Sequence, residues 1–301
     1  MPDSEPHPPG ETLAPNGLPV FTINYTNDDD SRRELGSDSR LMFTAPIDSD
    51  YVVRVSDVRG FGGDRYVYRL VIRDAQPDFN VTVGGFDPNV WAGAGRAFSV
   101  GVQRIDGFDG PVRVDIINVP KGFATSTPLV IEAGHNEAAG TVYAAADAKA
   151  PSPGTPPMKV TATATVDGKT VTKMLPDLPK LAVATPPQVT VELLPFDRGD
   201  HPIEIIPGQM TKAWLRVQRN GFKGLVTFDV QDLPYGMIVA DIGLNGVLIP
   251  ADQSERQIFL NCEPWVAETM RPCHARANEA SNPTSPPTMV HVRPPQTAAA
   301  R

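Results

Sequence analysis

Short runs in which hydrophobic and polar residues alternate recur along the chain, and each predicts a β-strand. In YVYRLVIR at 66–73, Tyr, Leu or Ile alternates with Val or Arg, so the first set is expected to face a core. Gly, Pro, Asn or Asp bounds most of these runs, as in an antiparallel sandwich. Since no segment has a sustained helical period, the pattern predicts an all-β protein built from antiparallel β-sandwich modules.

The first 74 residues contain the runs PVFTINYT, RLMFTAP, YVVRVSDV and YVYRLVIR, which predict four strands. Between the last two runs, Gly60, Gly62 and Gly63 supply positive-φ positions for a tight hairpin connection. Four strands are fewer than the roughly seven of an immunoglobulin-like sandwich. One apolar face should therefore lack cover and make this the least stable region. The candidates for that face are Phe43, Val53, Val55, Tyr66, Tyr68 and Leu70.

One long phrase occurs twice. The sequence VQRIDGFDGPVRVDIINVPKGF at 102–123 returns as VQRNGFKGLVTFDVQDLPYGM at 217–237 with one residue gapped. A repeat of this length indicates tandem copies of one folding unit. We therefore expect residues 98–123 and 213–237 to form the same strand pair.

The repeat and the length together predict three modules. The first, at 1–75, is a partial β-sandwich, and the other two, at 78–176 and 187–294, are immunoglobulin-like repeats. A Pro-rich stretch at 175–188 is the predicted linker between the repeats.

Two residue types recur at equivalent positions of the repeated phrase. Phe108 and Phe222 each lie in Gly-Phe-x-Gly, where we expect the ring to close the end of a sandwich rather than to bind a ligand. Arg104 and Arg219 are each expected to pair with an acidic neighbour at a strand end.

The charge balance excludes one class of partner. The 301 residues include 27 Lys and Arg against 35 Asp and Glu, a formal net charge of -8. Nucleic-acid binders concentrate basic residues on one face, so no nucleic-acid partner is expected. No run approaches the roughly 18 apolar residues of a membrane helix, and the first residues lack the pattern of a signal peptide. We therefore predict neither a transmembrane segment nor an export signal in the given sequence.

The two cysteines, Cys262 and Cys273, are too few for a disulfide framework and have no CxxC spacing. They form either one bridge or two buried thiols, and the sequence leaves both alternatives open.

An acidic run is the candidate for a metal site. Asp28, Asp29 and Asp30, with Asp38 nearby, offer the oxygen ligands that Ca²⁺ prefers. Their spacing matches no EF-hand loop, and such clusters are usually solvated turns. Calcium binding and a plain surface turn both stay open, and no metal-binding residue is assigned.

No residue pattern supports catalysis. The histidines have no HExxH or i, i+4 pairing, and no serine lies in a GxSxG elbow. Cys273 and His274 are adjacent on a predicted strand and should point to opposite faces. We predict that the protein is not an enzyme, with no catalytic residue, no cofactor and no hydrolytic activity. The five histidines are His7, His135, His201, His274 and His291.

Residues 27–72 resemble part of a known domain family. The runs NDDD at 27–30, SDSRLMFTAPIDSDYVVRVSD at 37–57 and the tyrosine-led strand ending at Ile72 follow one another in this order. The order resembles the second half of the bacterial pre-peptidase C-terminal domain, a β-sandwich appended to secreted proteases and other exported proteins. The strands that precede the acidic turn in that family are largely missing, and Asp50 replaces a usual Gly.

The two later modules are similar to the immunoglobulin-like repeats beside such domains in large exported proteins of planctomycete type. The motifs are GFDGPV at 107–112, the Pro-x-Gly segment at 119–122 that ends the repeated phrase, and DIGLNGVLI at 241–249. The resemblance implies a non-catalytic interaction or spacer segment of an exported or cell-surface bacterial protein. Its implied partners are upstream domains of a longer chain or other surface proteins. Because no export signal is present, we expect these residues to be a piece of a longer protein.

The alternative functions are a carbohydrate- or matrix-binding module, with polysaccharide as partner, or an accessory region of a secreted peptidase. Solvent-exposed aromatic residues along one sheet face would indicate the binding module. Trp91, Trp214 and Trp265 are spread over the modules, so we interpret them as core or rim residues rather than as one shared platform.

Overall fold

The computed structural model describes residues 12, 17, 25–27, 38–240 and 247–294. It divides the chain into two units, Met1–Gln76 and Pro77–Arg301. Every strand of the described residues lies in the second unit, and the described residues contain no helix. The predicted all-β class is confirmed.

The second unit begins with one β-sandwich. Strands β1, β3, β7 and β5 form one sheet in that order, β6, β4, β8 and β9 form the facing sheet, and β2 pairs in parallel with β10. These strands are β1 (Asp78–Gly84), β2 (Asn89–Trp91), β3 (Ala94–Ile105), β4 (Val112–Ile117), β5 (Phe123–Thr125), β6 (Leu129–Ile131), β7 (Glu137–Ala144), β8 (Lys159–Val166), β9 (Lys169–Met174) and β10 (Ala182–Ala184).

A second sandwich repeats the arrangement. Its sheets have the orders β11-β13-β17-β15 and β12-β19-β18-β14-β16, with β12 parallel to β19. The strands are β11 (Val189–Pro195), β12 (Ile203–Ile205), β13 (Met210–Arg219), β14 (Val226–Gln231), β15 (Met237–Ala240), β16 (Val247–Ile249), β17 (Glu255–Cys262), β18 (Thr269–Ala277) and β19 (Thr288–Val292). These strand orders are those of immunoglobulin-like sandwiches.

The repeated phrase occupies the same place in both sandwiches, as predicted. It runs from β3 to β4 in the first and from β13 to β14 in the second. The two strands are not a hairpin, because β3 pairs with β1 and β7 whereas β4 pairs with β6 and β8. The phrase therefore crosses between the two sheets and faces the core from both sides.

Each sandwich has its own core of alternating inward residues. Phe79, Val100 and Leu129 are fully buried in the first, and Leu215 and Leu260 in the second. Burying one such side chain contributes about 2 kcal/mol. Aliphatic and β-branched residues dominate both cores.

The Pro-rich stretch predicted as a linker packs against the first sandwich. Leu178 and Leu181 are buried in that core, and the Leu178 N–H donates to Met158 O at 3.0 Å. Since β10 also lies in this stretch, the linker prediction is wrong for most of 175–188. Leu178 and Leu181 pack into the core of the first sandwich, and the composition of the stretch alone does not show this.

The prediction of strands in the first unit is wrong for residues 38–76, because the structure has no strand there. The turn glycines do form a turn: Gly60 and Gly63 have φ of +74° and +114°, and the Gly60 N–H donates to Asp57 O at 3.0 Å. Gly62 has no positive φ. Alternation fixes a strand only where a partner strand and a core are present. The run PVFTINYT lies mostly outside the described residues.

The apolar residues of this segment lack cover, as predicted. Tyr68 is 75% exposed and its neighbour Val67 is 91% exposed, so neither face of the run is buried. The six candidates for the uncovered face, Phe43, Val53, Val55, Tyr66, Tyr68 and Leu70, are all exposed.

Candidate functional site

The acidic run that was the candidate for a metal site lies mostly outside the described residues. Asp28, Asp29 and Asp30 lie outside the described residues. Asp38 is described, but no group of three or more His, Cys, Asp or Glu suited to a metal occurs among the described residues. The described residues also contain no helix long and apolar enough to cross a membrane.

Both cysteines are buried free thiols. Cys262 ends β17 and Cys273 lies in β18. Burial raises the pKa of both thiols, so each stays protonated at neutral pH and is a poor nucleophile. Of the two alternatives from the sequence, the structure has the pair of buried thiols.

The described histidines lie apart from one another. His135 contacts the ring of Tyr235, His201 Nε2 lies 2.8 Å from Asp197 Oδ2, and His291 Nδ1 lies 3.9 Å from Glu204 Oε1. His274 is fully buried in β18. His7 lies outside the described residues.

The repeated arginine has the same contacts in both sandwiches, and they are carbonyl oxygens. Arg104 donates to Gly110 O at 2.6 Å, Glu132 O at 2.7 Å and His135 O at 2.9 Å. Arg104 also lies 3.8 Å from Asp109. The guanidinium fork therefore ties together two turns at one end of the sandwich.

Arg219 donates to Gly224 O at 3.3 Å, Pro250 O at 2.7 Å and also to Gln253 O. Among the described residues no carboxylate lies within salt-bridge distance of Arg219. The predicted pairing of both arginines with acidic neighbours is therefore wrong for Arg219. Backbone carbonyls at turns need donors as much as carboxylates do.

The repeated phenylalanine packs as predicted. Phe108 is 6% exposed and Phe222 is partly buried against the core of the second sandwich. A Cβ on Gly110 would lie 3.1 Å from the Phe108 ring, and one on Gly224 would lie 2.9 Å from the Phe222 ring. Each glycine is thus required by the close approach of its own turn to the ring.

The two sandwiches are joined by a short backbone ladder. Gly95 N–H donates to Thr284 O at 2.9 Å, and Thr284 N–H donates to Gly95 O at 3.0 Å. The hydroxyls of Thr141 and Thr284 are also hydrogen-bonded and fully buried. A Cβ on Gly95 would lie 2.6 Å from Thr141 Oγ1 and closer still to Thr284 Oγ1. Only glycine fits at this contact.

An ion pair forms a second contact between the sandwiches, with the arginine buried and the glutamate side chain 29% exposed. The side chain of Arg271 is 4% exposed, and its Nη1 lies 2.7 Å from Glu132 Oε1 of the first sandwich. Arg271 Nη2 donates to Leu233 O at 2.9 Å, and the Tyr235 N–H donates to Glu132 Oε1 at 3.3 Å. Glu132 thus accepts two bonds from the second sandwich. Removing Glu132 would leave the buried Arg271 guanidinium without its carboxylate, at a cost below the roughly 3–5 kcal/mol of a fully buried pair because Glu132 is partly exposed.

Asp232 adds a second carboxyl near this pair. Its Oδ2 is buried and has no hydrogen-bond partner among the described residues. Burial raises the pKa of Asp232 well above its usual value, more than the nearby Arg271 lowers it, and the Glu132 charge adds to the rise. Burial therefore disfavours the ionised form of Asp232 at this position.

Exposed aromatic residues form the rim of the junction. The His135 ring from the first sandwich lies 4.7 Å from the Tyr235 ring, which lies 5.2 Å from the Trp265 ring. Tyr235 is 56% and Trp265 59% exposed. Trp265 is therefore a rim residue, as one of the two sequence interpretations had it. The junction as a whole offers contact and charge compensation between modules, with no activated nucleophile among the described residues.

Sequence patterns did not single out the junction residues Gly95, Glu132, Arg271 and Thr284. One signal was present, because the copies differ there. Counting from the shared Val-Gln-Arg, Gly95 corresponds to Met210, and through the matched turn Glu132 corresponds to Pro250. Positions where two copies of one fold diverge are candidates for specific contacts.

No protein-family model and no curated protein matches the chain. Among solved structures, domains 5-6 of the S-layer protein SbsC align over 72% of this chain and 98% of theirs, at 13% identity and TM-score 0.24. Fibronectin(III)-like modules of Clostridium thermocellum CbhA align over 74% and 98%, at 14% and 0.22. Tandem Ig repeats of Dlar align over 73% and 100%, at 10% and 0.29. Identities and TM-scores this low carry no argument about function.

Proposed function

We propose that this chain is a non-catalytic structural segment of an exported or cell-surface bacterial protein, with the two sandwiches acting as one stiff spacer. The observation that carries the proposal is the partly buried ion pair between Arg271 and Glu132, which belong to different sandwiches. Modules on free linkers have polar interfaces and move relative to one another. This ion pair and the backbone ladder oppose such motion, because separating the modules would leave Arg271 and the backbone groups of Gly95 and Thr284 without their partners.

The proposed organisation has a partial pre-peptidase C-terminal-like module at 1–75 and immunoglobulin-like repeats at 78–176 and 187–294. The exposed apolar residues of 38–76 support an incomplete first module, since patches of this kind recruit a partner or aggregate. We propose that upstream domains of a longer chain or other surface proteins cover it. The extracellular or cell-surface location follows from the family resemblance of 27–72.

A non-catalytic role is supported by the state of the buried reactive groups. The thiol of Cys273 is held protonated by burial, and burial followed by the charge of Arg276 lowers the pKa of His274 to about 3. A neutral, enclosed His and an un-ionised Cys do not form a catalytic pair. Peptidase and glycosidase assays should show no turnover; turnover lost on a point substitution would contradict this.

Spin-label distances test the stiff spacer. Labels at Lys169→Cys and Lys223→Cys, both exposed and in different sandwiches, report the separation by double electron–electron resonance. The native thiols are buried and should stay unlabelled. We expect a single narrow distance distribution for the full chain. Arg271→Ala should broaden it, because Glu132 loses its partner.

Arg113→Ala is the matched control. It removes an exposed ion pair with Asp115, whose atoms lie 2.8 Å apart, and should leave the distribution narrow. A broad distribution in the parent chain, or no difference between the two arginine variants, would show that the junction does not hold the sandwiches together.

Limited proteolysis tests the incomplete first module. Cuts before Pro77 should appear well before cuts in either sandwich, because exposed segments without strand pairing open at low cost. Equal resistance, with equal hydrogen-exchange protection, would contradict this part of the proposal.

A further inference from the structure

One outer sheet face of the second sandwich carries aromatic rings around a lysine. Phe196 is 48% exposed, and its ring is nearly parallel to Trp214, at 6° and 6.2 Å between centroids. Lys212 Nζ lies 5.0 Å from the Phe196 ring centroid and 6.0 Å from that of Phe259. We call these four residues the aromatic face. Lys212, Trp214 and Phe259 alternate with the buried residues of β13 and β17, so they point away from the core. Phe196 directly follows the end of β11.

The first sandwich has small residues at three of these four positions. The shared Val-Gln-Arg places Ala97 at the position of Lys212 and Ser99 at that of Trp214. Ala97 pairs with Thr141 across the sheet as Lys212 pairs with Phe259. The rings of Trp214 and Phe259 are therefore not required by the fold, since the first copy forms the same sheet with Ser99 and Thr141 there. Phe196, in contrast, corresponds to Phe86 of the first copy.

The aromatic face does not suit the docking of a further copy of this module. In the first sandwich the corresponding face receives Thr284 at Gly95, where no Cβ fits. The second sandwich has Met210 at that position, 61% exposed. A third sandwich docked in the same way would collide with this side chain. The residues of this face therefore differ from those that dock a module in the first sandwich, and we expect them to bind a different ligand.

The charge of the face favours an anionic occupant. Among the described residues no carboxylate lies within 4.0 Å of Lys212 Nζ, although the chain has a net charge of -8. Arg198 and Arg216 flank the rings, and Arg198 CZ lies 5.1 Å from the Trp214 ring centroid. These two arginines pair with the carboxylates of Glu192 and Glu255. Lys212 is thus the cation left for a ligand.

We propose that the aromatic face binds an acidic polysaccharide, with sugar rings stacked on the aromatic side chains and a uronic acid carboxylate bound by Lys212. Phe259 lies on β17 and Phe196 directly follows β11, the strands at either side of β13. The two residues are therefore about two strand spacings, or about 10 Å, apart. A linear glycan crossing the strands would reach one ring, the lysine and the other ring in turn. Rings supply apolar area at low entropic cost, and the charged hydrogen bond selects the acid.

Affinity electrophoresis of the full chain tests this proposal, with gels containing polygalacturonate or the neutral glycan dextran. We expect polygalacturonate to retard the protein and dextran to leave its mobility unchanged. Trp214→Ser introduces the residue of the first copy and should weaken retardation about tenfold. Lys212→Ala should weaken it similarly, and Lys212→Arg should retain it.

Trp265→Ser is the matched control, because it removes an exposed Trp of the same sandwich away from the aromatic face. Thermal unfolding verifies that each variant is folded, and Phe196→Ser replaces Trp214→Ser if the latter is not. Absence of retardation, equal retardation by dextran, or retardation that survives every substitution in the aromatic face would overturn the proposal. The last outcome would indicate simple ion exchange or a protein-binding surface.

Discussion

The two sandwiches share one topology, and in each an arginine, Arg104 or Arg219, binds the carbonyl oxygens of two turns; we call this contact the arginine clamp. They differ in the surfaces that contact a neighbouring module or solvent. In the first sandwich, Gly95 and Thr141 contact Thr284 of the second. In the second sandwich, the corresponding Met210 is exposed and Phe259 is partly exposed. The difference separates two demands on one fold. Residues common to both copies build the sandwich, and residues that diverge determine what each copy contacts.

Exchanging the junction glycine for its counterpart should have the largest effect. Gly95→Met forces a side chain between Thr141 and Thr284 and breaks two backbone bonds, which should cost about 4 kcal/mol. Calorimetry should show a lower midpoint and a separate transition for each sandwich. The reverse exchange, Met210→Gly, lies on an exposed strand start and should cost at most about 1 kcal/mol. Equal losses from both exchanges would mean that the copies do not differ at this contact.

His274 should make the second sandwich sensitive to acid. Its pKa is lowered to about 3, by burial first and then by Arg276, against about 6.5 in the unfolded chain. The associated stability is complete above pH 6.5 and is lost as pH falls toward 3. By pH 4 the loss should reach roughly 3 kcal/mol.

Urea unfolding of His274→Gln at pH 7, 5.5 and 4 measures this loss. The variant should lose less stability than the parent by that amount, since Gln takes up no proton. His201→Gln, which alters an exposed histidine, should leave the acid loss in place. Parallel pH profiles for the parent and His274→Gln would refute the assignment.

The arginine clamps should prove equivalent. Arg104→Lys and Arg219→Lys each leave turn carbonyls without donors, because an ammonium cannot reproduce the guanidinium fork. We expect a loss of about 2 kcal/mol in each, measured by urea denaturation. Arg113→Lys at an exposed pair should change stability by less than about 0.5 kcal/mol. A loss confined to one copy would show that the shared contacts have different weights.

The smallest expected effect is a gain. Asp232 corresponds to Asn118 of the first copy, both have positive φ, and Asn118 Nδ2 donates to Pro157 O at 3.2 Å. Because the pKa of Asp232 is raised, its contribution to stability is present below pH 3.8 and is lost as pH rises. Asp232→Asn removes this loss and should add about 1 kcal/mol at pH 7 and nothing near pH 3. A gain at both pH values would indicate a cause other than ionisation.

Part of this architecture was predictable from the sequence because it depends on neighbours along the chain. The copy of Val-Gln-Arg and Gly-Phe-x-Gly located the same two strands in both sandwiches and the plug formed by Phe108, but it did not show that these strands lie in different sheets. The same kind of reasoning failed at 66–73, where the alternation of Tyr68 and Val67 is clear and both side chains are exposed. A pattern states which face would be buried, but burial requires a second layer.

The sequence by itself determined the all-β class, the doubling of the sandwich and the turns that close it, since strand alternation and repeated turn residues act locally. Tertiary structure alone decided the junction. Thr141 and Thr284 are 143 residues apart and Glu132 and Arg271 are 139 apart, and these pairs meet only after both sandwiches have formed. Each of these residues stabilises the junction only together with its partner on the other sandwich. A periodic pattern along the sequence does not show which two surfaces will pack against each other.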